Sequence, residues 1–205
     1  MAIRTRNDPA VRRYEGTGVS ARVSDEAAAV HPSAPVEIQR NQRVLNVRYY
    51  AFDGTLRSGQ LVADKRVIKD LAEAFEFARQ IKFPVQSIVP AAAFGWSDER
   101  SMNTNNTSAF NFREKTGGGQ ISMHAFGYAI DINPAINPYV QGTHVEPAGA
   151  TYRPGEPGTL TANHPLVKKF KALGWTWGGD WVGSVKDYQH FEKPLPPDYE
   201  ALLTR

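Results

Sequence analysis

The sequence predicts an α+β domain: a small antiparallel sheet flanked by two or three helices, with long loops on one side. Three observations lead there. Leu45, Val47, Tyr49 and Ala51 alternate with more polar neighbours, as in a half-buried strand. Val67, Leu71, Phe75, Ala78 and Ile81 recur at helical spacing. Segments 95–120 and 133–162 are polar or Pro-rich and too long to be tight connections.

Taken in order, residues 1–43 show no sustained period and read as an arm, either a flexible leader or an attachment or dimer contact, ahead of a patterned domain over 44–205. Asp53-Gly54 is a turn signal after the first strand, and Gln60 to Ala63 return as a second. Asp64 stands where an N-cap belongs, so a helix is expected over 65–81, stopped by Pro84. Val85 to Val89 reads as a strand. The stretch 95–120, rich in Asn, Ser, Thr and Gly, reads as one long polar loop. Tyr128 to Ile132 is a short strand. Pro134, Pro138, Pro147, Pro154 and Pro157 then mark a surface excursion. Asn163 is the expected cap of a helix with Pro165 in its first turn, an apolar stripe of Leu166, Val167, Phe170 and Leu173, and Gly174 at its end. Tyr188 to Glu192 is the last strand, and Pro194, Pro196 and Pro197 close the domain.

Composition narrows the function. The 205 residues suit one domain, and 41% hydrophobic residues are enough for a core. A formal net charge of +3 favours anionic surroundings, cell-wall polymers or nucleic acid, without choosing between them, and the Lys/Arg block usual in a nucleic-acid patch is lacking, so no nucleic-acid partner is expected. With no cysteine, disulfides, thiolate ligands and a cysteine nucleophile are excluded. No stretch is apolar enough to insert in a membrane. Met1 to Glu15 is Arg-rich and lacks the apolar centre of a secretory signal.

Without Cys, chemistry must come from His near carboxylates. His31, His144 and His164 each have a surface explanation. His124 and His190 differ. In the strand Tyr128–Ile132, Ile130 and Ile132 share the core face, so Asp131 points the other way beside small Ala129. A bend at Gly127 would bring His124 to that carboxylate. His190 shares a strand face with Tyr188 and Glu192, and Asp187 reaches the same side only from the turn before the strand. Two imidazoles and a carboxylate make a three-ligand zinc set on the sheet with an open corner for water. Asp187 is the candidate base and Glu192 the reserve. On spacing alone, buried hydrogen-bonded histidines beside ordinary surface acids are the plainer reading.

Ser122-x-His124-x-x-Gly127-x-Ala129-x-Asp131, followed by Asp187-x-x-His190, resembles the zinc D-alanyl-D-alanine carboxypeptidases and L-alanyl-D-glutamate endopeptidases. These are peptidoglycan peptidases that include many phage endolysins. The stretches Asn105 to Arg113, Asp131 to Pro134 and Gly174 to Trp181 are also similar, in family order, so the likeness runs from about Val44 to Glu192 and leaves out the arm. The resemblance implies one zinc ion on His124, Asp131 and His190, Asp187 as catalytic base, and Arg113 contacting substrate or steadying the tetrahedral intermediate. A loop-anchoring salt bridge is the plainer use of Arg113. Ser122 would contact substrate or support a ligand. Trp177 and Trp181 would form, with Trp175, an apolar wall for alanyl methyls, or else simply pack. Peptidoglycan is the expected partner, with the chain a monomer. An L-Ala-D-Glu endopeptidase of endolysin type is expected, held in the cytoplasm until lysis, or alternatively exported by a signal outside this sequence. A D-Ala-D-Ala carboxypeptidase and a non-catalytic zinc-containing wall-binding module are the rivals.

Overall fold

The computed structural model describes residues 25–115 and 118–203. The α+β layout holds, with small, mostly antiparallel sheets and six helices among the described residues. The strands form four sets: β1 (Gln42–Tyr50) with β2 (Leu56–Asp64); β3 (Ser87–Ile88) with β4 (Asn106–Thr107); β8 (Thr176–Trp177), β10 (His190–Glu192) and β5 (Ala129–Asp131); and β7 (His144–Glu146), β6 (Tyr139–Gln141) and β9 (Val185–Asp187). Only β3–β4 is parallel among the ladders.

β1 and β2 make a nine-residue hairpin, longer than the sequence expectation because its outer face is polar and gives no hydrophobic signal at Arg57 and Ser58. Inward, Val47, Tyr49, Leu61 and Ala63 are buried. The helix Ile68–Gln80 lies on this hairpin and buries Leu71, Ala74, Phe75 and Ala78. Each large side chain so buried contributes about 1.5–3 kcal/mol. The helix starts later than expected. Asp64 ends β2 instead of capping the helix, and its carboxylate accepts from the Arg66 backbone and guanidinium at 2.9 Å.

Residues 95–120 are not one loop. Ser97 caps a helix over Asp98–Asn103, accepting from Arg100 N, and β4 follows. The helix Pro165–Ala172 has His164 rather than Asn163 as its cap, with Nδ1 accepting from Leu166 N at 3.1 Å. A short helix, Pro197–Leu203, extends the fold beyond the closing prolines. It is pinned by Tyr199, whose hydroxyl donates to the fully buried Asp64 at 2.6 Å and accepts from Asn41 at 3.0 Å.

Of the arm expected over 1–43, residues 1–24 lie outside the described residues. Asp25–Ala29 and Val36–Gln39 are short helices, and Ala28, Ala34 and Ile38 sit in the core. His31 is buried too, with its ring edge-on to Trp96 at 4.5 Å, so its surface explanation gives way to aromatic packing.

The excursion over 133–162 carries the β6–β7 hairpin and is gathered at its neck by two buried asparagines. Asn133 donates to Pro84 O and Gly158 O. Asn137 donates to Ile132 O and Gly158 O and accepts from Leu160 N.

Candidate metal centre

Three local structures converge. The tight turn Met123–Phe126 opens at Ser122, whose hydroxyl accepts from His124 N at 3.3 Å, and is anchored by the buried Ala125 and Phe126. Gly127 then turns the chain into β5 at φ 70°. A Cβ there would lie 2.3 Å from Gln42 Oε1 and 2.6 Å from Asp64 N, so only glycine fits both the conformation and the space. β5 and β10 run antiparallel with Asp131 opposite His190. Ile130 and Phe191, their neighbours in that register, are fully buried in the core, so strand alternation aims Asp131 and His190 together at the other face.

The result is a compact cluster. His124 Nε2 lies 3.1 Å from Asp131 Oδ2 and 3.3 Å from His190 Nδ1, and His190 Nδ1 lies 3.0 Å from Asp131 Oδ1. All three residues are buried, and they form a group able to hold a metal ion. Zinc bonds of about 2.0 Å at tetrahedral angles put neighbouring ligand atoms ~3.3 Å apart, so these spacings suit the ion without rearrangement.

The ring of His124 is set from behind. Its Nδ1 lies 2.6 Å from the carbonyl oxygen of Ala109. A carbonyl only accepts, so Nδ1 carries the proton and Nε2 turns its lone pair to the cluster. The strip 108–111 braces two cluster residues at once: Ser108 exchanges backbone bonds of 3.2 and 2.9 Å with Asp131, and Asn111 N donates to His124 O at 3.1 Å. This backbone brace carries no side-chain signature and is invisible in sequence.

Charge in the cluster is strongly coupled. Burial opposes ionisation of Asp131, but His124 and His190 outweigh it and hold the carboxyl far below its usual range. Burial likewise opposes a charged His190; hydrogen bonds to Asp131 and Glu192, then the charges of Asp131 and Asp187, overcome this and raise its pKa.

Asp187 ends β9, paired with Tyr139 of β6, rather than lying in a turn before β10. Burial pushes its carboxyl up to about 7, with His190 pulling it down and Asp131 pushing it further up. Its Oδ1 is buried without a hydrogen-bond partner among the described residues. Gly178 makes this placement possible, since a Cβ there would lie 2.4 Å from Asp187 O.

The remaining sequence candidates divide. Arg113 forms a 2.8 Å ion pair with Asp98 and donates to Glu114 O, which is the loop-anchoring arrangement, while its Nε is buried and unpartnered among the described residues. Ser122 is buried and supports the His124 turn. Trp177 is 2% exposed, donates to Tyr188 O and lies against Gly179, so its geometry is that of packing. Trp181 stands beside the cluster, its ring 5.8 Å from that of His190. Tyr188 stacks flat on Tyr152 at 3.6 Å and so ties the excursion to this region. His144 is exposed and pairs with Glu146.

Fold and site together support a zinc-dependent peptidase. Residues 116–193 match the model of a family described as D-alanyl-D-alanine carboxypeptidase, which supports the resemblance read from the motifs and a peptidase that acts on peptidoglycan. The match covers less than half of the chain, but it contains His124, Asp131, Asp187 and His190. No curated protein and no solved structure matches the chain. No helix among the described residues is long and apolar enough to cross a membrane.

Proposed function

We propose that the protein hydrolyses peptide bonds in peptidoglycan stem peptides, as an L-Ala-D-Glu endopeptidase of endolysin type, with one zinc ion on His124, Asp131 and His190. The observation that carries this reading is the buried His-Asp-His cluster with a second carboxylate, Asp187, held beside it near neutrality. Zinc in such a site supplies an activated water and polarises the scissile carbonyl. The chain's own residues do the rest. Asp187, with a pKa near 7 and a free buried oxygen, is suited to take a proton from the attacking water and return it to the leaving amine. Trp181 offers an apolar flank to an alanyl methyl. Arg113 is assigned the steadying of oxyanion charge, its Nε–H being the part of the guanidinium without a partner among the described residues.

The family description favours a second reading, a carboxypeptidase that removes terminal D-alanine. Arg113 is already engaged by Asp98 and Glu114 O, so on that reading a terminal carboxylate would face another cation, such as Lys115, whose charge reaches Glu192. The enzyme is taken as a monomer, resident in the cytoplasm until lysis and then acting on the wall; its catalytic unit is taken to be the 44–205 domain together with the packed segment ahead of it, since Ala28, Ala34 and Ile38 share its core.

Digestion of purified peptidoglycan by the zinc-loaded chain decides. New amino groups on D-glutamate are expected; free D-alanine would establish the carboxypeptidase, and neither product would refute the peptidase reading. Asp187→Ala is expected to lose turnover while keeping its zinc. His190→Ala is expected to lose both.

A further inference from the structure

Glu192 follows His190 by two residues on β10, so both side chains project from the same face of the strand. The distances assign opposite jobs to the two nitrogens of the His190 ring. Nδ1 faces the cluster, 3.0 Å from Asp131 and 3.3 Å from His124 Nε2. Nε2 is 3.1 Å from Glu192 Oε2. The two lone-pair directions of an imidazole diverge, so a carboxylate on Nε2 stands behind the ring and away from the ion position. The strand itself is fixed on both sides, with Glu192 opposite Ala129 of β5 and Thr176 of β8.

We infer that Glu192 is the positioning residue of the metal centre: it accepts the Nε2 proton of His190 and thereby holds the tautomer and ring angle that present Nδ1 to the ion. An ionised carboxylate can only accept, so Nε2 must donate, and Nδ1 is the nitrogen left for the metal. The negative charge also makes the imidazole a stronger donor to a cation, as outer carboxylates do for metal-bound histidines elsewhere. His124 obtains the same service from the Ala109 carbonyl, which no side-chain substitution removes. Of the two histidines, His190 is therefore the one whose support is genetically accessible. The placement also speaks against Glu192 as the general base, because its near oxygen is committed to the back of a ligand.

The inference rests on His124, Asp131 and His190 being a zinc site, and its test reads metal binding rather than hydrolysis. Zinc affinity of the full chain is measured by chelator competition for the wild type, Glu192→Gln and Glu192→Ala. The wild type should bind tightly, and Glu192→Ala should bind on the order of 10–100-fold more weakly. Glu192→Gln, which keeps an acceptor but loses the charge, should fall between them, and it carries the test if Glu192→Ala does not fold. Nitrogen-15 spectra of the zinc-loaded wild type should show His190 with its proton on Nε2. Wild-type affinity in both variants, or a proton on Nδ1, overturns the inference while leaving the zinc site intact. Loss of turnover at unchanged affinity in Glu192→Gln also overturns it, in favour of a proton-transfer role. A wild type that binds no zinc would instead sink the metal-centre reading itself.

Discussion

Gly178→Ala is the sharpest probe of how Asp187, the proposed base, is positioned. Gly178 does not adopt the left-handed backbone region, so alanine is conformationally allowed. Space is the obstacle. An added Cβ would lie 2.4 Å from Asp187 O and 2.8 Å from Asp187 Cβ, whereas ordinary contact begins at 3.4 Å. The difference of about 1 Å must be taken up by backbone, since the nearest atom is a carbonyl oxygen and not the end of a flexible side chain. The end of β9 therefore moves by up to about that distance. A misplacement of about 1 Å in a reacting group costs on the order of 10²-fold in rate. The three atoms nearest the new methyl all belong to Asp187, while the cluster residues sit on β5, β10 and the 123–126 turn, so zinc affinity should stay near wild type. Steady-state hydrolysis of a stem peptide, with zinc content measured on the same samples, separates the two. A kcat equal to wild type in the folded, zinc-loaded variant would refute the assignment of Asp187 as a group whose position matters.

Tyr199→Phe removes a hydrogen bond to the buried Asp64 carboxylate and should lower stability by about 1.5–3 kcal/mol, read as a lower urea midpoint. Burial lowers the pKa of both His31 and His164, and each uses Nδ1 to accept a backbone N–H, from Ser33 and Leu166 respectively. Their stabilisation is present above the unfolded value of about 6.5 and is lost as pH falls below it. Urea midpoints on the two sides of that pH should show the loss, and His164→Ser, which keeps a capping oxygen, should reduce it. Arg113→Ala should impair hydrolysis with zinc retained; full activity would leave the Asp98 ion pair as the arginine's entire role.

Periodic elements were legible because burial writes itself into spacing. The parity of Ile130 and Ile132 against Asp131, and the glycine bend ahead of it, were enough to bring two residues of the cluster together on paper. The helix Asp98–Asn103 was missed because it is short and polar and buries only Ser101, although a capping Ser97 with acidic residues in the first turn was there to be read. Asp64 looked like a cap because an acid before an apolar run usually is one. Its true partners, Arg66 and Tyr199, include one that lies far along the chain. His31 was misread for the same reason, since its aromatic neighbours Trp96 and Phe112 are distant in sequence. The Ala109 carbonyl and the Gly178 contact involve backbone, which sequence patterns do not register. Trp177 and Trp181 could not be told apart without knowing which of them faces the core.

The paired asparagines at the neck of the 133–162 excursion have a consequence for how such an enzyme can diversify. By tying Ile132, Gly158 and Leu160 into one knot, they close the segment at its base, so whatever happens between Gln141 and His144 is mechanically insulated from Asp131 next door. A chain built this way can lengthen, recharge or replace its outer hairpin without pulling on Asp131 through the ends of the excursion, which leaves β9, where Tyr139 pairs with Asp187, and the Tyr152–Tyr188 stack as the routes by which the site feels the change.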